Sequence, residues 1–401
     1  MSRKNDLEGR QANLLKLVQV LSFLVVFAAG VILGLLTSTH MNAHFTSRYA
    51  APLFSYNYVS AAPPSQADDL CAEIVETVRA ETEKKCVKVD CISMETFLHP
   101  QNLSHRMTDD EIMWRASMVP RKAEFPFKRV PKVAFMFLTR GPLPMLPLWE
   151  MFFEGQDKNL YSIYIHSHGY DLKVSKESAF YGRHIPSQIV QWGSVKLVDA
   201  ERRLLANALL DQLNERFVLL SESCIPVYNF PIIYEYLTSS AHSFVESYDD
   251  PTRYGRGRYS RSMLPYISLH QWRKGSQWFE IKRELATHII ADTLYYDLFR
   301  RYCKPACYPD EHYIPTYLHM FHGSQNANRT VTWVDWSLGG PHPATFRKDD
   351  INEDFIRAIR DNGTSCSYNS ENITICNLFA RKFAASTLEP LLNLTTTVLE
   401  F

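Results

Sequence analysis

Val133-Ala134-Phe135-Met136-Phe137-Leu138, stopped at once by Thr139-Arg140-Gly141-Pro142, is the stretch that decides the fold. An unbroken apolar run ending in a Gly-Pro turn is the pattern of a strand buried on both faces, as in a parallel sheet. Moving outward from it, Pro144 to Phe153 reads as a helix opened by proline. Tyr161-Ser162-Ile163-Tyr164-Ile165-His166 reads as a second strand and Ile189-Val190-Gln191-Trp192 as a third. A long helix from Val198 to Asn214 follows, then a fourth strand in Arg216-Phe217-Val218-Leu219-Leu220. Strands alternating with helices at this spacing predict a doubly wound α/β sheet, with ligands beyond the carboxyl ends of its strands. Thr139-Arg140, His166-Ser167-His168 and Ser221-Glu222-Ser223 then share one rim.

The chain has 401 residues, 46% of them hydrophobic and 13% aromatic, enough for a large core. Lys+Arg of 43 against Asp+Glu of 43 leaves no net field that would draw nucleic acid. Its cysteines, at 71, 86, 91, 224, 303, 307, 366 and 376, all follow the N-terminal apolar run. An even count suits a disulfide set in an exported domain. Zinc is the competing reading, but Cys303 and Cys307 have no matching Cys or His pair close by, so no metal is expected.

Residues 1–13 form a polar tail, and residues 14–36 hold an apolar run, Leu17 to Leu36, interrupted only by Gln19 and Ser22. About twenty such residues span a bilayer. No small-residue cleavage site closes the run, so it reads as an uncleaved signal anchor. Basic residues cluster before it, which keeps the N-terminus cytosolic and the rest lumenal. Sequons at Asn102, Asn328, Asn362, Asn372 and Asn393 all fall on that lumenal side. Residues 37–128, with Pro63-Pro64 and a charged stretch from Asp68 to Lys85, read as a stem. Within it, Asp109-Asp110-Glu111 before Ile112 predicts a short capped helix. Residues 129–401 are expected to form the main folded domain.

Cys303 to Tyr313 brackets a proline turn with two cysteines and hands over, through Pro309, to Asp310-Glu311. Asp310 to Met320 is expected to be helical, with both carboxylates in the first turn. A carboxylate held at such a mouth can serve as a general base, although an acidic helix cap without chemistry has the same appearance.

Several of these stretches, with others, form an ordered set. They are Val133 to Arg140, the second strand, Val190-Gln191-Trp192-Gly193, and Phe217 to Glu222 with Pro226. Further on come Gly275-Ser276-Gln277-Trp278-Phe279, Tyr308-Pro309-Asp310-Glu311-His312, Arg329 to Trp336, Gly339-Gly340-Pro341-His342-Pro343 and Leu378 to Phe383. Over residues 130–401 the set resembles the core-2/I-branching β-1,6-N-acetylglucosaminyltransferases, most closely their plant branch. The resemblance implies a GT-A-like (Rossmann-like) glycosyltransferase domain behind one transmembrane helix and a stem, as in a single-pass type II protein of the Golgi membrane. It implies an inverting transfer from a nucleotide-sugar donor, a UDP-sugar such as UDP-N-acetylglucosamine, to a glycan or glycoprotein acceptor, without a divalent metal. The chain contains no Asp-x-Asp, the metal-binding pair of most GT-A enzymes.

By the same resemblance Glu311 is the base, with Asp310 as an orienting neighbour. Lys382 and Arg329 grip the donor diphosphate, with Arg381 or Arg347 as substitutes for Arg329. Glu246, Trp333, Trp336 and Asp310 are candidates for binding the acceptor sugar. The pattern departs at Ser167-His168, where the animal enzymes carry an aspartate facing the nucleoside. The basic segment Arg253 to Arg261 would lie near the acceptor and could meet an acidic group, though a solvated loop is the plainer reading. A catalytically silent, membrane-anchored carbohydrate-binding scaffold is the alternative. A glycoside hydrolase would need two carboxylates flanking one bond, which adjacent residues do not provide. Homo-oligomerisation is left open.

Overall fold

The computed structural model describes residues 94–98, 103–122, 124–304, 307–361 and 363–401. The tail, the expected anchor at 14–36, the stem as far as Cys91, and the sequons at Asn102 and Asn362 lie outside the described residues. Among the described residues no helix is long and apolar enough to cross a membrane.

The deciding stretch forms strand β1 (Lys132–Leu138), buried throughout. It pairs in parallel with β2 (Tyr161–His166) on one side and β3 (Asn214–Ser221) on the other. A short strand, β5 (Glu280–Lys282), runs antiparallel along β3 and completes the order β2-β1-β3-β5. Because side chains alternate across a strand, the apolar run serves two cores. Val133, Phe135 and Phe137 meet Trp149 and Phe152 of helix α2 (Leu146–Phe153), while Ala134, Met136 and Leu138 join Leu204 and Leu205 of α3 (Val195–Leu209). Phe135 meets Phe153 edge-on at 5.1 Å and Phe152 at 5.9 Å, and each such pair contributes about 1 kcal/mol beyond its buried area. This is a mixed α/β architecture with a parallel core, consistent with a GT-A-like domain. Leu138 stands level with His166 and with Ser221, so the three strands end together and the rim forms as expected.

Three expectations need correction. Ile189-Val190-Gln191-Trp192 is not a strand. Among the described residues the outer side of β2 is met by a single bridge from Ile165 to His184, and no strand pairs with 189–192. Ile189 is 65% and Trp192 49% exposed. Gly193 then turns the chain at φ +72°, and the Ser194 hydroxyl caps α3 by accepting from the Lys196 amide. Helix α3 therefore starts and ends earlier than Val198–Asn214, releasing Asn214 to open β3. The helix expected over Asp310–Met320 is broken: Pro309–Glu311 is a 3-10 turn, and a separate α-helix begins at Tyr313.

The predicted acidic helix is α1 (Asp109–Ala116), with a capping box between Thr108 and Glu111. It belongs to the domain rather than to a free stem, because the Asp109 carboxylate receives Arg203 of α3 at 2.7 and 2.6 Å. A second sheet extends from the end of β3. Strand β4 (Ile225–Pro226) pairs antiparallel with β9 (Phe379–Arg381), and β9 pairs in parallel with β6 (Thr332–Val334). Helix α4 (Phe230–Ser239) packs against β1 and β3, and a hairpin of β7 (Cys366–Tyr368) and β8 (Glu371–Ile373) lies next to it.

Candidate active site

A cleft opens at the common end of β1, β2 and β3. Thr139, Arg140, His166, His168, Ser221 and Glu222 line one side of it. Strand β9 delivers Arg381 and Lys382 to the same cleft. Two backbone bonds seat that strand end beside the rim: the Phe383 amide donates to the Ser223 carbonyl at 3.0 Å and the Phe346 amide to the Lys382 carbonyl at 2.8 Å. The Arg381 guanidinium lies 4.2 Å from the Trp278 ring centre, and its Nε has no hydrogen-bond partner among the described residues. Burial holds the Lys382 ammonium below its ordinary pKa, with Arg381 next to it adding to the effect. Two adjacent cations, each with its pKa lowered by burial and with Glu222 as the nearby acid, make a pole suited to an anion.

On the other side stands Glu311. Tyr308, in the left-handed region at φ 52°, starts the turn, and the Glu311 amide donates back to the Tyr308 carbonyl at 3.0 Å. Just before it, Cys303 and Cys307 form a disulfide, which removes them as metal ligands. The Gly275 amide donates to the Glu311 carbonyl at 2.9 Å, tying the turn to the Gly275–Phe279 segment. The carboxylate, 24% exposed, accepts from Arg258 Nη1 at 2.6 Å and has Lys274 Nζ at 3.7 Å. Arg258 in turn lies 4.2 Å from the Tyr308 ring centre, and Tyr308 packs edge-on against Trp192 at 5.1 Å. Within the basic segment Arg258 therefore belongs to the cleft wall, while Arg253, Arg256 and Arg261 stay exposed to solvent. The basic run that holds Arg258 was visible in the sequence, but its contact with Glu311 was not, and Lys274, outside that run, was missed; only folding brings both to Glu311.

Asp310 also borders the cleft but is buried, and burial followed by the Glu311 charge pushes its pKa up to about 7. Glu246 lines the cleft, its pKa raised by burial against the pull of Lys274 and the Ser276 amide. Trp336 lines the cleft and is half exposed. Trp333 does not; it stacks on Phe346 at 5.7 Å.

Arg329 is likewise outside the cleft. Its guanidinium donates to the Cys376 carbonyl at 2.9 Å and the Tyr236 hydroxyl at 2.6 Å, and packs over Phe244. It braces the hairpin, closed by the Cys366–Cys376 disulfide, against α4. Arg347 is also absent from the cleft lining, whereas Arg381 is part of it. Asn328, Asn372 and Asn393 are exposed. His166, buried at the strand end, is held neutral with a pKa lowered to about 4 by burial and then by Arg203, and accepts from the Gln188 amide at 3.3 Å. It thereby anchors the loop that carries Trp192.

Comparison with known proteins gives a consistent result. Residues 133–360 match the family model described as Core-2/I-Branching enzyme. The chain is also similar to "Glycosyltransferase BC10" of Oryza sativa subsp. japonica, at 35% identity, the match covering 66% of this chain and 76% of the rice protein.

Proposed function

Since the chain belongs to the core-2/I-branching enzyme family and is a glycosyltransferase, we propose that it inverts the anomeric centre of a UDP-sugar in a reaction run without metal, with Glu311 as general base. The family works with a nucleotide-sugar donor and a glycan acceptor. In the reaction, Glu311 takes the proton of the acceptor hydroxyl as that oxygen bonds to the anomeric carbon, and the bond to the diphosphate breaks on the opposite face. Arg381 and Lys382 meet the charge that grows on the leaving diphosphate, the work a cation does elsewhere, and positioned charge of this kind lowers the barrier. Lys382 keeps the role the resemblance implied, and Arg381 takes the one first given to Arg329.

The observation that carries this reading is that a partly exposed carboxylate and the adjacent cations Arg381 and Lys382 line one cleft beyond the strand ends. Glu246 and the exposed ring of Trp336 offer an acceptor sugar a hydrogen-bonding edge and an apolar face. N-acetylglucosamine is the sugar favoured by the family likeness. A Golgi lumenal location, with one N-terminal anchor and type II orientation, is favoured by the apolar run and by two disulfides, which persist in oxidising compartments.

The test is a titration of the lumenal part with a panel of nucleotide sugars in EDTA, following binding and slow donor hydrolysis. One UDP-sugar is expected to bind, Lys382→Ala to weaken it, and Glu311→Gln to leave binding intact while stopping turnover. If no nucleotide sugar binds, the silent scaffold is the correct reading.

A further inference from the structure

Glu201 is in the wrong company for a carboxylate. It lies on α3 one turn from both Leu197 and Leu205, in a row that otherwise feeds the core, and is 1% exposed. Burying an ionised carboxylate is costly unless a cation or several donors meet it. Glu201 has one donor, the Gln277 side-chain amide at 2.8 Å on Oε1. Its Oε2 has no partner among the described residues, and neither has Oδ1 of Asp310, on the Pro309–Glu311 turn that packs against α3.

The charges around the pair offer no other remedy. Asp199, on the same helix, is an acid already engaged by the Tyr296 hydroxyl. Glu311 is an acid, and the Arg258 guanidinium is committed to it. Two buried acceptor oxygens on packed elements, with no donor between them, are what an unseen hydrogen leaves behind. Burial raises the proton affinity of both groups in the same direction.

We propose that Glu201 is a positioning residue for sugar transfer: it shares one proton with Asp310, and the resulting carboxyl–carboxylate hydrogen bond seats the turn that presents Glu311. Without that proton two like charges would meet in a dry site and push the turn outward. Asp310 immediately precedes Glu311, so any shift passes to the base. The proposal rests on Glu311 being the base, but the proton itself can be observed independently of turnover.

The experiment compares the wild-type lumenal part with Glu201→Gln, Asp310→Asn and Glu201→Leu. The first readout is the infrared band of protonated carboxyl at neutral pH, alongside melting temperature as a function of pH. A group whose folded pKa is raised contributes stability at low pH that is lost as pH rises through that value. Wild type is therefore expected to lose melting temperature between about pH 5 and about pH 8 relative to both amide variants, and to show a carboxyl band that both variants lack. The second readout is turnover of the donor found in the panel. Glu201→Gln, which freezes the one-proton arrangement, is expected to keep turnover, and Glu201→Leu to lose it by about tenfold or more at unchanged donor affinity.

A band and pH dependence that survive in Glu201→Gln and Asp310→Asn overturn the proposal, as does wild-type turnover in Glu201→Leu. If Glu201→Leu does not fold, the two isosteric variants decide. Absence of turnover in every form, wild type included, defeats the transferase reading and leaves the infrared and melting results to judge the shared proton.

Discussion

Arg258 and Lys274 reach the same oxygen of Glu311, at 2.6 and 3.7 Å, so the proposed base is oriented by cations on a different segment of chain. A base must be aimed to take a proton, and misplacement by about 1 Å can cost roughly 10²-fold in rate. Arg258→Ala is expected to lower turnover by about that factor with donor affinity unchanged. Arg258→Lys restores the charge without the planar fork and should recover only part of the loss. Steady-state rates beside calorimetric donor binding check this; equal losses in both would move Arg258 to the donor site.

The three arginine and lysine assignments separate cleanly by readout. Lys382→Ala and Arg381→Ala are expected to weaken binding of the nucleotide diphosphate while the melting temperature holds. Arg329→Ala should do the reverse, losing roughly 2 kcal/mol or more because charged hydrogen bonds to the hairpin and α4 are lost. Donor titration and thermal unfolding on the same preparations distinguish them. A donor defect in Arg329→Ala alone would restore the first assignment.

Gly275 has no room for a side chain: an added Cβ would stand 1.8 Å from the Glu246 carbonyl oxygen and 2.9 Å from Pro315 Cγ. Gly275→Ala must therefore displace backbone that joins Glu246 to the Glu311 turn. We expect turnover to fall at least tenfold, with a lowered melting temperature, since overpacking costs about 1–3 kcal/mol. An active, fully stable Gly275→Ala would show that this junction yields.

Arg216 and Glu280 form a bidentate pair at 2.7 Å between β3 and β5, both fully buried. Removing the cation alone strands the carboxylate, which costs about 3–5 kcal/mol. Burial already raises the Glu280 pKa against the pull of Arg216, so Arg216→Met should raise it further. A raised folded pKa means stability is present at low pH and lost as pH rises. Arg216→Met should thus be closest to wild type in acid and fall behind toward neutrality, as chemical denaturation over a pH series will report. A deficit independent of pH would show that the carboxylate is neutral or solvated in the variant.

The strands at 133, 161 and 216 were legible because burial on both faces leaves an apolar run that few other structures share. Ile189 to Trp192 has a similar apolar character and a different fate, since a strand needs a neighbour and that stretch has none among the described residues. The Glu311 turn was readable as a carboxylate after a rigid proline, but not as a 3-10 turn separated from its helix. Arg258 and Lys274 were illegible as partners of Glu311 because 53 residues separate Arg258 from the base and nothing local records the contact. Arg329 misled for the opposite reason: its neighbours in sequence, Thr330 and Thr332, do line the cleft, while its own side chain turns to the hairpin.

The link between Cys303 and Cys307 closes a ring with a sequence separation of only 4, against 10 for Cys366 and Cys376. Loop-closure entropy credits so small a ring with about 2 kcal/mol, less than the longer hairpin link receives. Its leverage is local, since the chain leaves Cys307 directly into Tyr308, whose ring carries the Arg258 guanidinium. A thiol reductant applied to the folded protein should consequently silence the enzyme at concentrations that barely move its melting curve, and reoxidation should bring the activity back.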